Sequence, residues 1–211
     1  RFGSLATLDG RLRARIMKMA ARVHPAQQLA PRGRLDAWTA HSGGQWDSQG
    51  DVIVGRSGDV GSYLTRAVHL RDGFTFSMSA STDPGASFGV VIGRHGVGLY
   101  PYHTLINFDA RGVHVSRVKG PDDIEMVSSQ HKAWGQTEWR HVEISMSEAR
   151  LSIKVDQEAV LTLPYATEGM SLVGLQLQNG SARFERPTLG PESRFATGPR
   201  MFTPPRPRHR F

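Results

Sequence analysis

Two hydrophobic periods divide the chain. Over residues 5–23 the apolar side chains Leu5, Leu8, Leu12, Ile16, Met19 and Val23 recur at spacings of three and four. At roughly 100° per residue, those positions fall on one stripe. The spacing predicts an amphipathic helix, with Asp9 near its start, Arg11, Arg13, Arg15, Lys18 and Arg22 on its flanks, and Pro25 ending it. Such a helix either packs on its own domain or docks on a membrane surface or a partner. Residues 25–34 (PAQQLAPRGR) read as a Pro/Gly/Gln linker.

From residue 35 the period becomes two. Short runs rich in Val, Ile, Thr and aromatics alternate with Gly, Asp, Asn and Pro, which predicts strands at 51–56, 62–69, 74–80, 87–93, 103–109, 112–118, 125–130, 138–147, 150–156, 159–163, 172–178 and 181–187. In the run 142–146, Val142, Ile144 and Met146 face one way and Glu143 and Ser145 the other; Leu151, Ile153 and Val155 repeat the pattern. Many short strands with turns between them and no intervening helix predict an all-β fold, a two-sheet antiparallel jelly-roll sandwich. The last residues carry Pro191, Pro199, Pro204, Pro205 and Pro207 among five Arg, with no apolar face, so an extended Pro/Arg-rich tail is expected. The organisation expected is therefore a basic helix and linker over 1–34, a sandwich over 35–190 and a tail over 191–211.

Composition sharpens this picture. The 211 residues are 38% hydrophobic and 21% charged, which excludes disorder throughout and is ample for a buried core. No apolar run is long enough to span a membrane. The chain begins at Arg1 rather than Met, as a processed product or a segment of something longer would. With no cysteine there is no disulfide, thiolate metal site or cysteine nucleophile.

The net charge of +7 is a property of the ends. Eight Lys/Arg against Asp9 in 1–34, and five Arg against Glu192 in 191–211, leave the body mildly acidic. The arms hold few aromatics, Phe2, Phe195, Phe202 and Phe211, so stacked nucleic-acid binding is disfavoured. Basic arms around an acidic body suit protein neighbours, self-association or an anionic membrane.

The run from Trp38 through Trp46, Gly50, Val52–Gly55, Leu64–Thr65 and Phe74–Phe76, followed by EWRHVEISM, LSIKVD, AVLTL and GLQLQNGSARFERPTLG, resembles a known family. It is similar to concanavalin A-like lectin/glucanase domains, particularly the 3-keto-disaccharide hydrolase branch and laminin-G-like modules of bacterial surface proteins. The resemblance covers residues 35–190 and implies two antiparallel sheets, one often ligand-bearing, with Trp38, Trp46 and Trp139 packed inside. It also implies an extracytoplasmic or cell-surface setting. Fold alone does not select among lectins, hydrolases and spacers.

Candidate chemistry is sparse. Glycoside hydrolysis needs two carboxylates, and the E-x-D-x-x-E triplet of glucanase relatives is missing. The nearest acidic cluster, Asp122, Asp123 and Glu125 after Gly120–Pro121, reads as a solvated turn. Where the hydrolase branch carries Glu, Gln and Asp, this chain offers Arg94, His95, His103, Asn107 and Asp109. Nine histidines include none at helical i, i+4 spacing, and no G-x-S-x-G elbow is present. A His114–Asp109 or His103–Asn107 ligand pair, or Ca²⁺ on Asn107 and Asp109, would depend on sheet geometry, and no metal or other cofactor is expected.

Sugar binding needs aromatic faces beside planar polar groups. The best such set is Tyr100, Tyr102, His103, Asn107 and Arg94, in a loop whose Gly96 and Gly98 permit close approach. The expectation is a non-catalytic module that binds a glycan or a protein neighbour within a larger surface assembly. A glycoside-processing hydrolase is the alternative, and the number of carboxylates on the ligand-bearing face discriminates between them.

Overall fold

The computed structural model describes residues 27–31, 34–41, 43–58, 61–68, 74–93, 103–120, 122–131, 137–147, 149–165 and 171–190. The helix expected over 5–23 and the tail 191–211 lie outside the described residues. So do Arg94, Tyr100, Tyr102 and Trp134.

The first eight strands are β1 (Gln27–Gln28), β2 (Thr39–His41), β3 (Gln45–Gln49), β4 (Val52–Ser57), β5 (Ser62–Ala67), β6 (Thr75–Thr82), β7 (Ser87–Gly93) and β8 (His103–Asp109). Next come β9 (Gly112–Val118), β10 (Ile124–Gln130), β11 (Arg140–Ser147), β12 (Arg150–Val155), β13 (Glu158–Pro164), β14 (Leu172–Gln178) and β15 (Gly180–Leu189). Every predicted strand coincides with one of these, and β1, β2 and β3 are additional. No α-helix occurs among the described residues.

All pairings are antiparallel. An eight-stranded sheet runs β13-β12-β11-β6-β15-β4-β3 with β1 added on β15, and a seven-stranded sheet runs β10-β9-β8-β7-β14-β5-β2. The inward side chains of each sheet meet in one core, as period-two patterning requires. Phe88 of β7 stacks on Phe108 of β8 with ring centroids 4.8 Å apart, and meets Phe184 of β15 edge-on at 5.6 Å, tying the two sheets together. Trp46 lies 6.2 Å from the same Phe184 ring and donates its indole N–H to Ser62 Oγ.

Part of the segment expected to be a linker is core. Gln27 and Gln28 pair with Leu189 and Thr188, and Leu29 and Ala30 are fully buried. The Leu29 N–H donates to the Pro187 carbonyl at 2.6 Å. The Leu29 carbonyl accepts from the Trp38 indole and from the Arg66 guanidinium. The opening for this strand comes from β15 itself. Its register shifts between Glu185 and Thr188, where Arg186 takes a positive φ of 50°. Pro187, with no N–H to donate, sits within that shift.

Trp38 is buried and Trp46 half-buried, but Trp139 is 45% exposed, contrary to the expectation that it packs inside. It lies just before β11 begins at Arg140, outside the alternation that sends Val142, Ile144 and Met146 inward.

Candidate functional site

Strand β8 sets the frame of the site. Thr104, Ile106 and Phe108 point into the sandwich, so His103, Leu105, Asn107 and Asp109 take the outer face. The antiparallel registers carry that face across the seven-stranded sheet. Asn107 lies opposite Gly89 and His114, Gly89 opposite Gln176, Gln176 opposite Tyr63, and Tyr63 opposite His41. One transverse row thus reads His41, Tyr63, Gln176, Gly89, Asn107, His114. The next reads Thr39, Thr65, Gly174, Val91, Leu105, Ser116. Beyond it come Ala67, Leu172, Gly93, His103 and Val118.

The floor of this face is glycine at Gly89, Gly174 and Gly93. A Cβ on Gly174 would stand 2.9 Å from the Leu64 carbonyl oxygen, and one on Gly89 would stand 2.5 Å from Leu105 Cδ1 and 3.2 Å from Gln176 Oε1. Small residues are therefore what lets neighbouring groups lie down over the central strands. The other sheet differs. Its outward positions include Ser77, Ser79, Glu143 and Lys154, with a Lys154–Glu143 ion pair at 2.8 Å, a pattern suited to solvent.

The centre of the glycine-floored face is buried although it faces away from the core. Gln176 is 3% exposed, His103 7% and Val91 1%. Tyr63 and His103 contribute to that cover. They stand on β5 and β8 with β14 and β7 between, so about 14 Å of sheet separates their strands. Their rings nevertheless meet edge-on with centroids 5.7 Å apart. Both side chains must lean over the floor to do so, above Gly174 and Val91. His41 adds an imidazole nitrogen 2.8 Å from Thr65 Oγ1 at the β2 edge.

At the opposite end Asp109 organises the β8–β9 turn. Its Oδ1 accepts from the backbone N–H groups of Arg111 at 2.7 Å and Gly112 at 3.1 Å, and from His114 Nε2 at 3.2 Å. The His114–Asp109 pair is therefore real, but its geometry is that of a turn clasp. Among the described residues no three His, Cys, Asp or Glu side chains are grouped to hold a metal ion. Asp109 is also the one carboxylate that the described strands direct to this face, since Glu125 of β10 alternates to the other side. Asp122, Asp123 and Glu125 are exposed and Lys119 pairs with Glu125 at 3.3 Å, as expected of a solvated turn.

Gln176 Oε1 and His114 Nδ1 have no hydrogen-bond partner. Beneath the sheet, Tyr165 donates to Thr104 Oγ1 at 2.7 Å, and burial pushes its phenol above the ordinary tyrosine range.

Of the side chains expected to bind, His103 and Asn107 do share this face. The segment 94–102, with Arg94, Tyr100 and Tyr102, joins Gly93 to His103, which are register partners at one end of it. Tyr63 and Gln176 were not anticipated, and His114 was weighed only as a metal ligand paired with Asp109. The sequence signal for one of them is plain in retrospect: Gln176 is an amide set inside the apolar run LVGLQLQ.

The fold is a two-sheet antiparallel β-sandwich, consistent with the concanavalin A-like architecture. No family model matches the chain, and no curated protein matches it in sequence. Solved structures do. The CBM66 carbohydrate-binding module from Bacillus subtilis superposes with a TM-score of 0.61 at 16% identity, covering 73% of this chain and 95% of that one. The metal-free carbohydrate recognition domain of Emp46p gives 0.61 at 10% identity, covering 77% and 91%. A Bacillus subtilis protein of unknown function with a galectin-like fold gives 0.60 at 9% identity, covering 81% and 99%. At these identities the likeness is one of fold.

Proposed function

We propose that the chain is a glycan-binding module and that its ligand lies on the outer face of the seven-stranded sheet. The observation that carries this is the face itself: a glycine floor flanked by Tyr63, His103, Asn107 and Gln176, which offers ring surface beside planar hydrogen-bonding groups. The carbohydrate-recognition domains of the same fold are consistent with it. Arg94, Tyr100 and Tyr102 would extend the site from the Gly93–His103 end.

Asp109, the one carboxylate that the described strands direct to this face, already accepts three hydrogen bonds, which supports binding without hydrolysis, because a glycosidase normally sets two carboxyl groups across the scissile bond. In this proposal the sandwich is one unit of a larger extracytoplasmic or surface assembly, and the basic segments before β1 and after β15, residues 1–26 and 191–211, contact protein neighbours or another copy of the chain.

The test is a glycan array on the full chain, followed by titration of the strongest hit against Tyr63→Ala and Asn107→Ala. Each variant should bind about tenfold more weakly, as loss of a ring contact or a buried hydrogen bond implies, with an unchanged melting curve. Wild-type affinity in both variants would remove this face as the site.

A further inference from the structure

We propose that the chain carries a second saccharide-binding site, on the outer face of the eight-stranded sheet and built around Trp139. Most of that face has a solvated pattern, as the Lys154–Glu143 pair shows, but the end where β11 begins departs from it. Trp139 is one of three large hydrophobic side chains exposed among the described residues, with Ile124 and Met126 of β10. It differs from those two in being held out by a braced turn.

Thr137, two residues earlier, has a φ of 74°, a left-handed conformation that a β-branched residue seldom adopts. Its N–H donates to the Thr82 carbonyl at 2.9 Å, and its carbonyl accepts from Ser81 Oγ at 3.3 Å. On the other side of Trp139, Arg140 is ion-paired with Asp156 at 3.0 Å, and the His141 N–H donates to the same carboxylate at 2.8 Å. Strained backbone persists only where its surroundings over-determine it, and such positions cluster at ligand sites. Here both flanks of a tryptophan are fixed while its ring stays open to solvent.

The strand register builds the rest of the site. Arg140 lies opposite Ala80 and Ser81 opposite Arg183, so one further step of the β11–β6 ladder sets Trp139 beside Ser81, with Arg183 on the far side. Two strand spacings separate Trp139 from Arg183, about 10 Å, which leaves room for a pyranose ring between them above the short serine. The next row, His141, Ser79 and Glu185, repeats the arrangement. Trp139, His141 and Arg183 are exposed and Glu185 half-buried, so all four are open to a ligand. The indole offers a stacking face, the guanidinium donates to sugar oxygens, and the Glu185 carboxylate accepts from hydroxyls. The ligand class is that of the glycan proposal, but no residue is shared with the Tyr63 face, and the two sites lie on opposite sheets. One chain would then hold two saccharides at once and join them.

The experiment applies the full chain and its Trp139→Ala, Arg183→Gln and Tyr63→Ala variants to one glycan array, with melting curves confirming that each is folded. Trp139→Ala and Arg183→Gln should weaken, by about tenfold, the binding of glycans that Tyr63→Ala still captures. Those glycans should also alter the tryptophan emission of the wild type and leave that of Trp139→Phe unchanged. Arg183→Gln, at an exposed position, serves if Trp139→Ala does not fold. Wild-type binding of every glycan by both Trp139→Ala and Arg183→Gln would overturn the second site and leave the Tyr63 face untouched. Loss of all binding in folded Tyr63→Ala would overturn it as well. A wild-type chain that captures no glycan would overturn both sites.

Discussion

Shortening the side chain of Leu29 should destabilise a domain to which, by sequence, it does not belong. Leu29 is fully buried, its N–H is held by Pro187, and its carbonyl receives both Trp38 and Arg66. Leu29→Ala leaves the backbone contacts and removes only buried methyl and methylene groups, a change that costs about 2–5 kcal/mol when the cavity cannot collapse. Here collapse is resisted because β1 is pinned to β15 on one side and to Trp38 and Arg66 on the other. In a domain of this size each kcal/mol lowers the melting temperature by about 2–4 °C. A fall of roughly 5–15 °C is therefore expected by circular dichroism or differential scanning calorimetry. A fragment starting at residue 35 should melt lower still than one starting at 27, since it also uncovers Leu189 and removes the Leu29 carbonyl that accepts from Arg66 and Trp38. A shift below about 2 °C in Leu29→Ala would refute this account of β1 as part of the core.

The glycines of the floor should respond differently to the same added methyl. Gly174→Ala places a Cβ 2.9 Å from backbone at Leu64 and should cost about 1–3 kcal/mol in a denaturant melt. Gly89→Ala meets the end of the Leu105 side chain, which can swing away, so its melt should move less while glycan affinity falls through the displaced Gln176 oxygen. Tyr165, raised by burial, stays neutral in the folded state where the unfolded phenol would ionise. Its contribution is complete below the ordinary tyrosine pKa of about 10 and is lost as pH rises through the higher folded value, so Tyr165→Phe should flatten the alkaline fall in stability measured by pH-dependent melting.

The strands were legible because a sheet buried on one side writes its period directly into the sequence, as Val142, Ile144 and Met146 show. β3 was not, since QWDSQ offers one large apolar side chain and sits at a sheet edge. β1 was hidden for another reason: two residues beside prolines carry no periodicity, and only the register shift at Arg186 creates their place. The site was half legible. His103 and Asn107 lie on one strand, so alternation alone puts them together. Tyr63, Gln176 and His114 join them through pairings between strands far apart in sequence, and no local pattern specifies which strands become neighbours.

The most direct test of the account is binding of the full-length chain to a glycan array, with Tyr63→Ala and Gln176→Met measured against the wild type by calorimetry. The account predicts saturable binding of an oligosaccharide that weakens about tenfold in each folded variant. Wild-type chain that captures no glycan, or variants that bind the same glycan as well as it does, would contradict the assignment of this face as a carbohydrate site.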